Sequence, residues 1–128
     1  MEYITLYQNN RAHFDIIFNR ELDMELPRYT SAEAFRKILC ETFGVDAYSN
    51  KAPRLLSDAN FDSYQDRIAI MWGKTDYPEA SEVFGNIAVN EYGFCAIGNK
   101  IVIFGNTLEE IKASADDLLA QIKQNSYI

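Results

Sequence analysis

A predicted hairpin that runs directly into an amphipathic helix constrains the fold more than any other feature of this chain. Residues 92–97 and 100–104 are rich in β-branched and aromatic residues, and the Gly-Asn pair between them is typical of a two-residue hairpin turn. Thr107 and Glu110 then have the spacing of a capping box, and apolar residues follow at helical spacing to about Lys123. The sequence therefore predicts an antiparallel pair with a helix packed against it.

The middle of the chain adds two helices and a buried strand. Thr30 and Glu33 form a second capping-box pair, and Gly44 stands where the following apolar pattern ends. Residues 67–72 have the apolar character of a buried strand, and Pro78 has the position of the first residue of a short helix. These signals indicate a helix, a strand and a second helix in that order.

The N-terminal part predicts another hairpin, formed by residues 3–8 and 13–18 around Asn9-Asn10-Arg11. Residues 45–48 suggest a short strand, and residues 51–66 suggest a long loop. The expected order is β-β-α, a loop, then β-α-β-β-α. Hairpins at both ends require antiparallel pairs, whereas the strand–helix–strand middle allows a parallel one. We therefore expect an α+β fold with a single mixed sheet and helices packed mainly on one face.

Composition indicates a single folded domain and narrows its partners. The 128 residues are 48% apolar, which is enough to build a core in one domain. The net charge of −7, with its basic residues scattered, disfavours nucleic acid and anionic membranes as partners. No apolar run is long enough to span a bilayer, and the first residues lack the pattern of a signal peptide. The compartment stays open between the cytoplasm and the cell exterior.

The sequence offers no constellation of residues for catalysis, a metal or a cofactor. His13 is the single histidine, so it makes neither a zinc site nor a complete triad. Cys40 and Cys95 are expected to be buried free thiols, although a disulfide between them stays open. Acidic pairs such as Asp116-Asp117 are explained by the solvent face of a helix. We therefore expect no catalytic, cofactor or metal residues, and a stand-alone small enzyme is the least favoured alternative.

Three aromatic residues are the candidates for contacts with a ligand or partner. Trp72 ends a strand beside a glycine turn, and Tyr77 lies a few residues further along. Together with Tyr64 they could stack on sugar rings, if their faces are exposed and coplanar. They could equally anchor a domain interface, or fill the core at the end of the sheet. Trp72, Tyr77 and Tyr64 are thus candidate interface or sugar-contact residues.

The order of the pieces resembles a known family. Four segments carry the likeness: Ile4-Thr5-Leu6-Tyr7-Gln8-Asn9-Asn10-Arg11-Ala12 with Ile16-Ile17-Phe18, then Ser31-Ala32-Glu33-Ala34-Phe35 to Phe43-Gly44-Val45, then Ile68-Ala69-Ile70-Met71-Trp72-Gly73-Lys74-Thr75 with Pro78-Glu79-Ala80, and last Tyr92-Gly93-Phe94 to Gly98-Asn99-Lys100-Ile101-Val102-Ile103-Phe104-Gly105. Over nearly the whole chain they resemble the N-terminal domain of α-glucuronidases, β-N-acetylhexosaminidases and related bacterial glycoside hydrolases. One departure is the Trp-Gly-Lys-Thr turn, where the family more often has an Ile-Gly-Asn-Thr-like turn.

The resemblance implies a non-catalytic accessory domain. Its fold would be a mixed sheet with helices on one face, related to the zincin-like fold without its metal centre. Catalysis would belong to a TIM barrel that follows in the same polypeptide and packs against this domain, so the chain would be a fragment of a larger enzyme. The alternative function is a carbohydrate-binding module that contacts glycans through exposed aromatic residues.

Overall fold

The protein has an α+β fold, and its described residues form three helices, a five-strand mixed sheet and a small separate hairpin. A computed structural model describes residues 4–9, 11–18, 26–58, 66–75, 77–88 and 91–124. In chain order, the elements within these residues are β1 (Tyr7–Gln8), β2 (Arg11–Ala12), β3 (Asp15–Phe18), α1 (Leu26–Phe43), β4 (Arg54–Ser57), β5 (Ala69–Trp72), α2 (Pro78–Phe84), β6 (Gly93–Ile97), β7 (Lys100–Phe104) and α3 (Leu108–Gln124).

The five-strand sheet has the order β4-β3-β5-β7-β6, and it is parallel except at one edge. The strands β4, β3, β5 and β7 run in the same direction, and β6 pairs antiparallel with β7. The connection from β3 through α1 leads towards one side of the sheet, and the connection from β5 through α2 leads towards the other. Because strand crossovers are almost always right-handed, these opposite directions place α1 and α2 on opposite faces.

The core is therefore divided into two layers of unequal size. The helices α1 and α3 cover one face of the sheet, which we call the α1/α3 face, and the short α2 packs on the other, the α2 face. Alternate residues along each strand point to opposite faces, so Ile70 and Trp72 belong to the larger layer while Ala69 and Met71 belong to the smaller one. The expected arrangement, a mixed sheet with helices mainly on one face, is confirmed.

The predicted N-terminal hairpin is wrong in its pairing. Residues 3–8 and 13–18 do not form one long pair; β1 and β2 form a two-residue ladder, and Asp15–Phe18 is instead the strand between β4 and β5. All four residues of β3 are buried, because a central strand is covered on both faces. The turn signal itself is confirmed, since Asn9 has a φ of 56°.

The segment around α1 also differs from its prediction. The helix begins at Leu26, four residues before Thr30, so Thr30 does not cap it. Residues 45–48 form turns, not a strand, and the predicted long loop contains β4 at Arg54–Ser57. The end of α1 agrees with the sequence. Gly44 has a φ of 70°, and the Val45 amide donates to the Cys40 carbonyl oxygen as in a Schellman motif.

The C-terminal half follows its local sequence signals. Gly98 has a φ of 59° in the two-residue turn between β6 and β7. Pro78 is the first residue of α2. The Glu110 amide donates to Thr107 Oγ1 at 3.1 Å, while Glu110 Oε1 accepts from the Asn106 amide at 2.7 Å. This reciprocal pair closes the start of α3 much as a capping box does.

Candidate functional sites

The structure separates the aromatic residues that the sequence singles out. Trp72 is 5% exposed and belongs to the α1/α3 face, whereas Tyr77 is fully buried on the α2 face. The condition for stacking on a sugar, that both rings are exposed and coplanar, is not met: one strand directs Trp72 to one face, and the chain after it carries Tyr77 under α2. Tyr64 lies outside the described residues. The carbohydrate-binding alternative thus loses two of its three stacking candidates as they stand.

Trp72 lies beneath a groove between α1 and α3, which we call the helix groove. The groove has a volume of about 270 Å³. The indole packs against the ring of Phe35, with ring centroids 5.3 Å apart. The wall of the groove is mainly apolar, with Ser31, Lys112 and Asp116 as its polar members; the others are Ala34, Phe35, Ile38, Trp72, Ala115 and Leu119.

Two features of the helix groove are incomplete within the part of the chain that the structure describes. Trp72 Nε1 is buried and has no hydrogen-bond partner among the described residues. A buried donor without a partner costs about 1–3 kcal/mol. On the rim, the Ile38 side chain keeps 41% of its surface exposed, although it is large and apolar. An apolar surface docked against this rim would bury the Ile38 side chain.

A second concave site, the amino-edge cleft, lies where the parallel strands begin. Its volume is about 470 Å³, and its walls come from the hairpin, from the loop before β4 and from the segment before β5. At its base Asp15 is 1% exposed. Arg54 donates to both carboxylate oxygens of Asp15 at 2.9 and 3.1 Å, and Arg67 Nε donates to Oδ2 at 2.8 Å. The buried carboxylate is therefore compensated by two guanidinium groups.

Lys100 anchors the backbone of one wall of this cleft, at Arg67. Its side chain is fully buried, and Nζ donates to the carbonyl oxygen of Arg67 and to Asn99 Oδ1. Burial lowers the pKa of the Lys100 ammonium, while the carboxylates of Glu79, Asp66 and Asp15 act in the opposite direction. Asn99 Nδ2 also donates to the Asp66 carbonyl oxygen at 3.0 Å. The turn of the β6–β7 hairpin thus holds the segment before β5 in place.

The remaining reactive side chains have structural positions. His13 Nε2 lies 3.1 Å from the Gln8 carbonyl oxygen, across the N-terminal hairpin. Cys40 and Cys95 are free thiols, as expected; Cys40 is buried and Cys95 is half-buried, and desolvation raises the pKa of each. Within the described ranges, no group of three or more His, Cys, Asp or Glu side chains is placed to hold a metal ion. No helix in the same ranges is both long and apolar enough to cross a bilayer.

Comparison with known proteins yields no relative for this chain. No protein-family signature matches it, and neither a curated protein nor a solved structure does. The chemistry of the two sites therefore rests on their own geometry. The helix groove offers mainly apolar surface, and the amino-edge cleft offers fixed guanidinium groups.

Sequence reasoning did not identify the members of the amino-edge cleft. Arg54 and Arg67 lie 39 and 52 residues after Asp15 along the chain, so no local motif joins the three residues. One signal was present: Asp15 stands between Phe14 and Ile16 at the start of an apolar strand. A charge in such a run needs a partner if the strand is buried. The identity of the partner depends on the strand order, which the sequence did not provide.

Proposed function

We propose that this chain is a non-catalytic accessory domain of a bacterial glycoside hydrolase, and that it packs against a catalytic barrel of the same polypeptide. The observation that carries the proposal is the helix groove, a mainly apolar depression between α1 and α3 with the exposed side chain of Ile38 on its rim. Such an incomplete apolar surface suits a domain interface. The resemblance in the order of elements supplies the class of enzyme.

The engaged state of the acidic side chains supports an accessory role. Asp15 is held by Arg54 and Arg67, and Glu33 is paired with Arg36. Glu110 is occupied at the start of α3. A catalytic acid or base must be within reach of a substrate and able to exchange a proton. These three carboxylates serve the fold instead, so catalysis is assigned to the neighbouring domain.

The first test is the complete coding sequence. We expect it to encode a barrel after residue 128, on the order of 250 residues for the barrel alone. The polypeptide that it encodes should hydrolyse glycosides, and the 128-residue chain by itself should not. A coding sequence that stops soon after Ile128 would contradict the proposal, and so would glycosidase activity of the isolated chain.

The second test locates the interface. Hydrogen exchange of the complete polypeptide, compared with that of the 128-residue chain, should show added protection at residues 34–38 and 115–119. The variant Ile38→Glu should remove this protection because it places a charge in an apolar contact. Tyr92→Glu, which changes an aromatic side chain with 49% exposure outside the groove, is the matched control. Unchanged exchange at the groove in the complete polypeptide would overturn this choice of docking surface.

A further inference from the structure

The lining of the amino-edge cleft is rich in arginine, although the protein as a whole is acidic. The chain carries a net charge of −7, yet three arginines line this cleft against two aspartates, Asp15 and Asp66. The arginines are Arg11, Arg54 and Arg67. Asp15 is buried and bonded to two guanidinium groups, so among the described lining residues the exposed charges are three arginines and one carboxylate, Asp66. A net charge far from zero keeps a protein soluble, but solubility does not account for a local positive potential in an acidic protein.

Asp15 also holds the guanidinium groups in position. Arg67 is bonded to it through Nε alone, and its two Nη nitrogens have no hydrogen-bond partner among the described residues. The backbone of Arg67 is fixed as well, because Lys100 Nζ donates to its carbonyl oxygen. The side chain of Arg67 keeps 52% of its surface exposed. The fold therefore already orders the long side chain of Arg67, so its conformational entropy is lost on folding and not on ligand binding.

The opposite wall supplies a third cation that is fixed through its backbone. Arg11 lies in β2, and the next residue, Ala12, donates its amide to the Lys51 carbonyl oxygen at 2.8 Å. The side chain of Arg11 is exposed and makes no hydrogen bond or ion pair with the described residues. Guanidinium groups match the planar fork of a carboxylate and the oxygens of a phosphate. A volume of about 470 Å³ has the size of a small-molecule site.

From this geometry we infer that the amino-edge cleft binds a small oxyanion, a carboxylate or phosphate group, between the Nη nitrogens of Arg67 and the guanidinium of Arg11. Arg54 contributes charge, and Asp15 is a positioning residue that holds Arg54 and Arg67. This site lies at the edge where the parallel strands begin and shares no lining residue with the helix groove. It is therefore independent of the proposed docking function.

The test is a titration of the ¹⁵N-labelled 128-residue chain with inorganic phosphate, and separately with acetate, at constant ionic strength. We expect saturable shifts of amides 11–15 and 66–68 with a dissociation constant of about 1–10 mM. Saturation by both anions would assign the shared oxyanion chemistry, and saturation by phosphate alone would assign the phosphate group. No saturation by either anion up to about 50 mM would overturn the inference.

Two variants and a control make the assignment specific. Arg11→Gln and Arg67→Gln should each weaken binding about fivefold or more, since each removes a charged donor. Lys123→Gln removes the same charge from an exposed position in the last turn of α3 and should leave the affinity unchanged. Arg11 has no partner to lose among the described residues, so its variant tests binding without breaking an ion pair of the fold. Equal weakening by all three variants would show unspecific charge attraction and would contradict a site.

Discussion

The ion pair between Glu33 and Arg36 shows how one side chain can hold a loop on a helix. Glu33 Oε1 and Oε2 accept from Arg36 Nη2 and Nε at 2.7 and 2.9 Å. Arg36 Nη1 donates in addition to the carbonyl oxygens of Ala47 and Pro53, at 3.0 and 3.3 Å. The carboxylate therefore orients a guanidinium that fastens the turns between α1 and β4. These hydrogen bonds from Arg36 are the first cause of a lowered pKa at Glu33.

Glu33→Gln should destabilise the protein in a pH-dependent way. The pKa of Glu33 in the folded protein lies below its ordinary value of 4.5, so the folded state favours the charged form. Its stabilisation is complete above pH 4.5 and is lost as the pH falls through the lowered pKa. We expect a loss of about 1 kcal/mol at pH 7, measured by urea unfolding, and a smaller loss below pH 4.5. Glu41→Gln, at an exposed position of the same helix, is the control; a loss at Glu33 that does not change with pH would contradict the mechanism.

Two glycines should respond differently to alanine, because different causes require them. A Cβ at Gly105 would lie 2.7 Å from Glu110 Cβ and 3.1 Å from the Glu110 carbonyl carbon, so the turn from β7 into α3 would have to move. A Cβ at Gly44 meets no atom within 4 Å, and only its φ of 70° opposes a side chain. We expect Gly105→Ala to cost about 3 kcal/mol and Gly44→Ala about 1 kcal/mol in denaturant unfolding. Equal losses would argue against close packing at Gly105.

The residues that could be predicted are those whose reason is local. Gly44, Gly98 and Thr107 are required by backbone geometry within a few residues, and the sequence placed all three correctly. Asp15 is the opposite case: it is a charged residue in an apolar strand, and it is buried because β3 is covered on both faces. The burial of Trp72 likewise could not be predicted from the local sequence. A sequence shows that a tryptophan ends a strand, but only packing shows that two helices cover it.

At the scale of the element, the start of α3 depends on a side-chain cap. Thr107 Oγ1 accepts from the Glu110 amide, and this bond satisfies one of the free amides in the first turn of α3. Thr107→Ala should therefore cost about 1 kcal/mol in thermal or urea unfolding. Thr42, whose Oγ1 donates to the Ile38 carbonyl oxygen inside α1, offers a control. Thr42 does not cap the helix, so Thr42→Ala should lower the free energy of unfolding by clearly less. A similar loss in both variants would show that Thr107 does not act as a cap.

The elements that sequence reasoning missed are those set by tertiary contacts. The strand β4 has only four residues, Arg54–Ser57, and it lies at the edge of the sheet, paired only with β3. Such a strand needs no strong pattern of its own, since its neighbour provides the hydrogen bonds. The helix α1 similarly extends four residues before the capping pair, with Pro27 in its first turn, where proline is tolerated. In both cases a polar, proline-containing segment was interpreted as loop.

For the whole molecule, the fold class could be predicted but the strand order could not. Two hairpin signals and a strand–helix–strand segment are enough to predict a mixed sheet. They do not reveal that β3 lies between β4 and β5, because that arrangement depends on contacts between distant segments. Because the strand order could not be predicted, the amino-edge cleft could not be predicted either. Its walls become neighbours only after β3, β4 and β5 are placed side by side.

The unequal layers of the core predict unequal local stability. The helix α2 has seven residues and buries only Ala80 and Val83 on its face of the sheet, whereas α3 has 17 residues and packs into the larger layer. Short elements with few buried contacts open at a lower free energy than the whole molecule. Native-state hydrogen exchange should therefore give smaller opening free energies for the amides of Val83 and Gly85 than for those of Leu118 and Ile122.

Denaturant separates local opening of α2 from unfolding of the whole domain. The α2 amides should exchange with little dependence on low urea concentration, since a local opening exposes little surface. The α3 amides should follow the slope of global unfolding, because their loss exposes the α1/α3 layer that contains Trp72, Phe35 and Ile70. If both sets of amides share one slope and one free energy, then the two layers unfold as a single unit. In that event the small α2 layer would be as cooperative as the large one, and the division of the core would have no thermodynamic meaning.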